Sequence, residues 1–289
     1  MDKIEIINYV PKFLNFYNRA TQRSLTEEER WDLWKELYNF AAVPPGPEGQ
    51  KLARSLLNDA WEKYLEKLPY LENWKPDSQL IKKYLAEIKE LLGYKDHINL
   101  VIIYFVGGFE NNPFISNYRD GRIALCLPVE SGDSKIALSH ELTHIVHSKT
   151  ANLNIQWERT IATTIIQEGL ATQASKYMLP GKPDEDYLEH REGWLDSCKS
   201  KKAEIIKGVY PYLKKSSSEV IYKFTFGDGT TNIDREIYFV GWEIVGFLLK
   251  QGVTFKEIAN IQEDQIPGYL EEVYENLYFK NNGSERLKL

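Results

Sequence analysis

The chain has 289 residues, enough to bury one large core or two smaller ones. Its 42 acidic and 36 basic residues give a net charge of −6, which excludes nucleic acid as the main partner because phosphate binding needs a basic face. Two widely separated cysteines, Cys126 and Cys198, exclude a disulfide framework.

The start, MDKIEIINYVPKFLNFY, lacks the basic-then-apolar order of a signal peptide. No apolar run reaches the roughly 18 residues of a membrane span, so no membrane is expected and the cytoplasm is the default address. Residues 1 to 95 read as an N-terminal helical region. Thr26 and Glu29 form a capping box, with Leu25 as a staple, ahead of Trp31, Trp34, Leu37 and Tyr38 at helical spacing. Pro44, Pro45 and Pro47 make a loop of Val43–Gly49. A second helix follows, with Leu52, Leu56, Ala60, Tyr64 and Leu68 on its apolar stripe. A third spans about Asp77 to Leu92, capped by Asp77 or Ser78 and stopped by Gly93.

The character changes at Ile98, and residues 96–289 read as a second domain. INLVIIYFVGG is β-branched and aromatic, a buried strand. RIALCLPVE, Arg122 to Glu130, is another, and Pro128 predicts that this end of it lies at a sheet edge. An edge strand of this kind can pair with an extended peptide by main-chain hydrogen bonds. SGDSKIALSHELTHIVHSK begins a helix at Asp133 or Ser134, and another covers about Trp157 to Tyr177. The remainder is mainly helical, with a glycine-rich break at Phe226–Gly229. The segment ENLYF, Glu275–Phe279, continues a helical pattern from Tyr269 and reads as native sequence. The fold class is α+β, mainly helical.

The chemistry lies in HELTH. His140 and His144 are four residues apart, about 6 Å along a helix axis and about 40° around it, so both imidazoles can face one metal. Glu141 is turned about 100° away, where its carboxylate reaches a water rather than the metal. Zinc needs a third protein ligand. His147, Glu168 and His190 are the candidates. His147 lies about 10 Å along the axis from His140, too far for one straight helix to wrap an ion. Glu168, in TIIQEGLATQAS, is favoured. It sits on a small and apolar face with Ile161, Thr164, Ile165, Ala171, Thr172 and Ser175, where a carboxylate is costly unless bound or paired.

HELTH followed by QEGLA resembles the gluzincin zinc peptidases. More closely, IYFVGG, RIALCLP, HELTHIVH, EGLA and YFVGWEIVGFLLKQG together resemble a bacterial family of predicted zinc-dependent proteases. The resemblance covers about residues 98 to 270. It implies a zincin-like catalytic domain, with a small sheet, an active-site helix and a helical C-terminal subdomain. It implies Zn2+ held by His140, His144 and Glu168, with Glu141 as general base and a peptide or protein as substrate. Tyr238, in the family's Tyr-x-x-Gly position with Gly241, is implied as the oxyanion donor, with Arg235 and His190 as alternatives. Where thermolysin-like enzymes place an Asp one turn after the ligand Glu, this chain has Thr172. A zinc amidase or deacylase, or a non-catalytic zinc-binding protein, are the competing readings. The intact Glu141 counts against the last, since a structural zinc needs no general base.

Overall fold

The computed structural model describes residues 2–22, 25–132, 134–154 and 157–276. In chain order the elements are β1 (Lys3–Asn8), α1 (Val10–Thr21), α2 (Glu27–Leu37), α3 (Pro47–Asn73), α4 (Ser78–Leu92), β2 (Asn99–Phe105), β3 (Phe114–Asn117) and β4 (Ile123–Pro128). There follow α5 (Lys135–Thr150), α6 (Ile161–Met178), α7 (Glu185–Leu188), α8 (Trp194–Ser200), α9 (Lys202–Val209), α10 (Ser218–Thr225), α11 (Glu236–Lys250), α12 (Phe255–Ala259) and α13 (Ile266–Tyr274). The protein is mainly helical with one small sheet, as the α+β reading expects. It divides into a unit of residues 1–83 with 96–141 and a unit of 84–95 with 142–289, the division falling inside α4 and α5.

In the first unit the sheet order is β1-β2-β4-β3. β1 corrects the wholly helical reading of residues 1–95: it runs parallel to β2 from Lys3↔Asn99 to Asn8↔Tyr104. Its partner lies some ninety residues on, and its burial is only partial, so no local pattern announces it. β4 is an edge only at its Pro128 end, not over Ile123–Cys126. It pairs with β2 on one side and antiparallel with β3 on the other, from Phe114↔Cys126 to Asn117↔Ile123. Val129 N donates to Phe105 O at 3.0 Å. By alternation the missing N–H of Pro128 faces the other side, beyond the end of β3, and breaks no ladder. A peptide therefore cannot add to Ile123–Cys126, whose donors and acceptors are already taken.

Local signals hold where they concern caps. Thr26 and Glu29 form the capping box. Asp77 Oδ1 accepts from Gln79 N and Leu80 N at 3.0 and 2.9 Å and so caps α4, while Gly93 ends it at φ +74°. Pro47 opens α3 instead of preceding it. The apolar stripe of α3 differs from the expected one. Steps of four drift about 40° each around a helix, so the buried face follows Ala53, Leu57, Ala60, Tyr64 and Leu71, leaving Leu52 46% exposed. Phe13 packs edge-on against Tyr38 and Tyr64, and both tyrosine hydroxyls bond the end of β2: Tyr38 to Val106 O at 2.8 Å and Tyr64 to Gly107 O at 2.7 Å.

The second unit is built on α6, buried at every residue from Ile161 to Thr172. α11 lies against it at a glycine pair. A Cβ on Gly241 would stand 2.6 Å from Ile165 O and 2.7 Å from Gly169 N, and one on Gly169 would overlap the Gly241 carbonyl. Gly241→Ala is expected to destabilise the protein by about 1–3 kcal/mol, because backbone cannot step aside as a side chain does. A thermal melt checks it, and an unchanged midpoint would mean that α6 and α11 separate freely.

Candidate metal centre

α5 begins at Ser134, whose Oγ accepts from Ala137 N at 3.1 Å; the alternative cap, Asp133, lies outside the described residues. The helix carries His140 and His144 one turn apart. α6 begins at Thr160, whose side chain accepts from Thr163 N at 3.1 Å, and carries Glu168 two turns in. Ligand atoms of His140, His144 and Glu168 all lie within 4.8 Å of one another. His144 Nε2 is 3.4 Å from Glu168 Oε2. That separation exceeds an ordinary N–H···O hydrogen bond. It matches the edge of a tetrahedron, about 3.4 Å for zinc bonds of about 2.1 Å. Two imidazoles and one carboxylate are also the donor set of open catalytic zinc sites. The residues present fit the ion.

Glu168 is only 7% exposed. The small neighbours expected around it are all buried with it. Thr172 does not take the place of an acidic orienter: its hydroxyl donates to Glu168 O at 2.8 Å and Gly169 O at 3.1 Å, back into its own helix. Glu141, next to His140, is half-buried.

His147 and His190 fall outside the group. His147 is fully buried, and neither ring nitrogen has a hydrogen-bond partner. Burial, with the neighbouring His144, holds its pKa down from 6.5 to about 3. His190 Nε2 stands 2.8 Å from Asp234 Oδ2, and Arg191 bonds the other oxygen at 2.8 Å. Burial lowers the His190 pKa, with Arg235 adding to the effect and Asp234 opposing it. Cys126 and Cys198 are free and buried, each thiol pushed up to about 12 by desolvation.

Two features near HELTH escaped the sequence. Glu130 is fully buried between β4 and α5, accepting from Gly107 N at 2.8 Å and Phe109 N at 3.2 Å. A partly open recess lies at the first turn of α5, lined by Trp74, Leu80, Tyr104, Leu127, Ala137 and Leu138 among others. Ala137 is one turn before Glu141, about 6 Å along the helix axis. Only the strand ends and α5 were adjacent in sequence; the α3–α4 connection and the first turn of α4 supply the far wall.

Residues 117–267, just over half of the chain, match the family described as Predicted Zn-dependent protease (DUF2268). The chain belongs to that family. No curated protein and no solved structure matches it. The family's description carries zinc dependence and proteolysis as its prediction, and the three donors lie inside the matched span. Among the described residues no helix is long and apolar enough to cross a membrane.

Two outcomes follow. The purified protein is expected to bind about one zinc per chain, and Glu168→Ala to lose most of that affinity. Elemental analysis and metal titration check this, and wild-type affinity in the variant would remove Glu168 from the site. For His147 the sign is that of a base kept neutral by folding. Above pH 6.5 neither state is protonated there; below it the unfolded chain takes a proton that the native state refuses until about pH 3. Stability is lost across that window as pH falls. His147→Leu removes two buried orphan atoms at similar volume. Metal-free melts from pH 7 to pH 4 should show the variant gaining on wild type as pH falls, whereas a constant gap would mean that His147 stays paired or protonated.

Proposed function

We propose that this protein is a zinc-dependent peptidase of gluzincin type, with a zincin-like catalytic domain in residues 96–289 and His140, His144 and Glu168 as the metal ligands. The observation that carries the reading is the convergence of two imidazoles and a buried carboxylate within 4.8 Å. Bound there, zinc would supply Lewis-acid chemistry, acidifying water to a pKa of about 7 and polarising a carbonyl oxygen.

The chain's own residues do the rest. His140 and His144 bind as neutral imidazoles. Glu168 brings one negative charge, which leaves the centre net positive and electrophilic. Glu141 takes a proton from the attacking water as the new C–O bond forms, then passes it to the departing amine nitrogen as the C–N bond breaks. Tyr238, half-buried one turn before the Gly241 contact with α6, donates its hydroxyl to the developing oxyanion. The recess at the first turn of α5 supports a peptide over a small amide, since its apolar lining would take a substrate side chain.

Glu141→Gln is expected to keep fold and zinc while losing about 10²–10⁴ in rate, because an amide cannot accept the water's proton. Fluorogenic peptide pools with zinc-loaded protein read this, and wild-type turnover in Glu141→Gln would end the general-base assignment. Tyr238→Phe keeps the ring. It should lower kcat by about 10²–10³ with KM and zinc nearly unchanged. A lowered melt with normal kcat would instead make Tyr238 a packing residue.

A further inference from the structure

Arg235 stands between two acidic residues that are both engaged elsewhere. Glu236 is fully buried. Its Oε2 accepts from Thr230 N at 2.8 Å and Thr230 Oγ1 at 3.1 Å, its Oε1 from Thr231 N at 2.8 Å and Thr231 Oγ1 at 2.7 Å. Asp234 faces His190 with one oxygen and Arg191 with the other, and its carbonyl takes Trp194 Nε1 at 2.8 Å. Arg235 is left half-buried, with no carboxylate partner among the described residues. Its backbone is left-handed, φ +58° and ψ 28°, at the start of α11. Its guanidinium lies over the Tyr238 ring, 4.2 Å from the centroid.

That stacking decides what the group can still do. A guanidinium over a ring makes no hydrogen bond to it, so its N–H groups stay available as the fork that matches a carboxylate. The charge is permanent near neutral pH. Arg235, Tyr238 and Gly241 lie three residues apart in turn, a stripe along one side of α11. Gly241 meets the α6 backbone at Ile165 and Gly169, beside Glu168. The stripe therefore joins the helix contact at Gly169, next to Glu168 in sequence, to the guanidinium.

We infer that Arg235 is a specificity residue whose guanidinium, held over the Tyr238 ring, receives a carboxylate of the peptide substrate within about two or three residues of the bond that is cut. The carboxylate belongs either to the peptide's C-terminus or to an Asp or Glu side chain. The inference rests on the peptidase reading for its substrate, and its test measures binding so that the two can fail separately.

The probe is fluorescein-labelled hexapeptide pools bound to zinc-loaded Glu141→Gln protein and read by anisotropy. One pair of pools differs only in a free or amidated C-terminus. A second pair, amidated, differs in carrying one Glu or one Gln. The carboxylate member of one pair should bind about ten- to a hundredfold more tightly, the range of a charge-assisted bond, and the pair that shows it names the source. Adding Arg235→Asn, which tolerates left-handed backbone, should bring that ratio to about one. Arg235→Gly serves if Asn lowers the melt, and Arg235→Lys should retain only part of the preference. The inference is overturned if no pool binds, if neither pair shows a preference, or if the preference survives in a folded Arg235→Asn protein. It is also overturned if acid and amide weaken equally, since Arg235 would then only hold Tyr238. Arg235-dependent binding without hydrolysis by the wild type would sink the peptidase reading and leave the carboxylate site standing.

Discussion

A carboxylate buried in the middle of a helix that is itself buried all round must be answered by hydrogen bonds, by positive charge or by a metal. Glu168 is in that position, and an uncompensated charge there costs several kcal/mol. The two imidazoles of α5 are brought to it, and the rest of the second unit follows from keeping α6 enclosed. Close enclosure needs small residues, which is why Gly169 faces Gly241 where any other pair would force the helices apart. The same contact fixes α11, and with it the height of Tyr238 relative to Glu168.

Other acids, two of them fully buried, are answered locally and without metal. Glu130 takes backbone amides of the β2–β3 connection, and burial still pushes its carboxyl up. Glu236 takes four bonds from two threonines and locks the turn ahead of α11. Asp234 is shared by His190 and Arg191. These three carboxylates are held by hydrogen bonds, so they shape loops and do not compete for a cation. His147 is the opposite solution to the same dielectric problem: a base with no partner for either nitrogen, kept neutral.

What the sequence reveals divides along the distance over which each pattern acts. His140 and His144 are legible because their geometry is contained in one turn of helix. The caps at Thr26, Asp77 and Ser134 are legible for the same reason. Glu168 is legible through the small residues around it, which report burial on their own. β1 is not, because a parallel partner some ninety residues away leaves no periodicity behind. Pro128 marks only the end of β4 that β3 leaves open; the pairing of Ile123–Cys126 is hidden because β3 is four residues long with no alternation to mark it. On α3 a stripe read in steps of four loses the true face by drift. The Trp74 and Tyr104 wall of the recess joins two elements whose rings meet at 4.7 Å, again a fact of assembly.

The left-handed residues show which of these assembled features had to be retained against local preference. Among the described non-glycine residues with positive φ, Asn39, Asn111, Asn152 and Asn232 are of the type that tolerates it, and only Phe109 and Arg235 are not. Each of the two exceptions costs about 1–2 kcal/mol relative to a right-handed alternative, and an asparagine in its place would cost less. Each also puts its side chain against an aromatic ring: Phe109 against Tyr64 at 5.5 Å, Arg235 over Tyr238 at 4.2 Å. A ring contact of about 0.5–1.5 kcal/mol roughly offsets the backbone cost and yields no surplus of stability. Phe109 closes a core that Tyr64 already anchors. Arg235 closes nothing, and stability alone does not account for an arginine where asparagine would fold as well; its charge does.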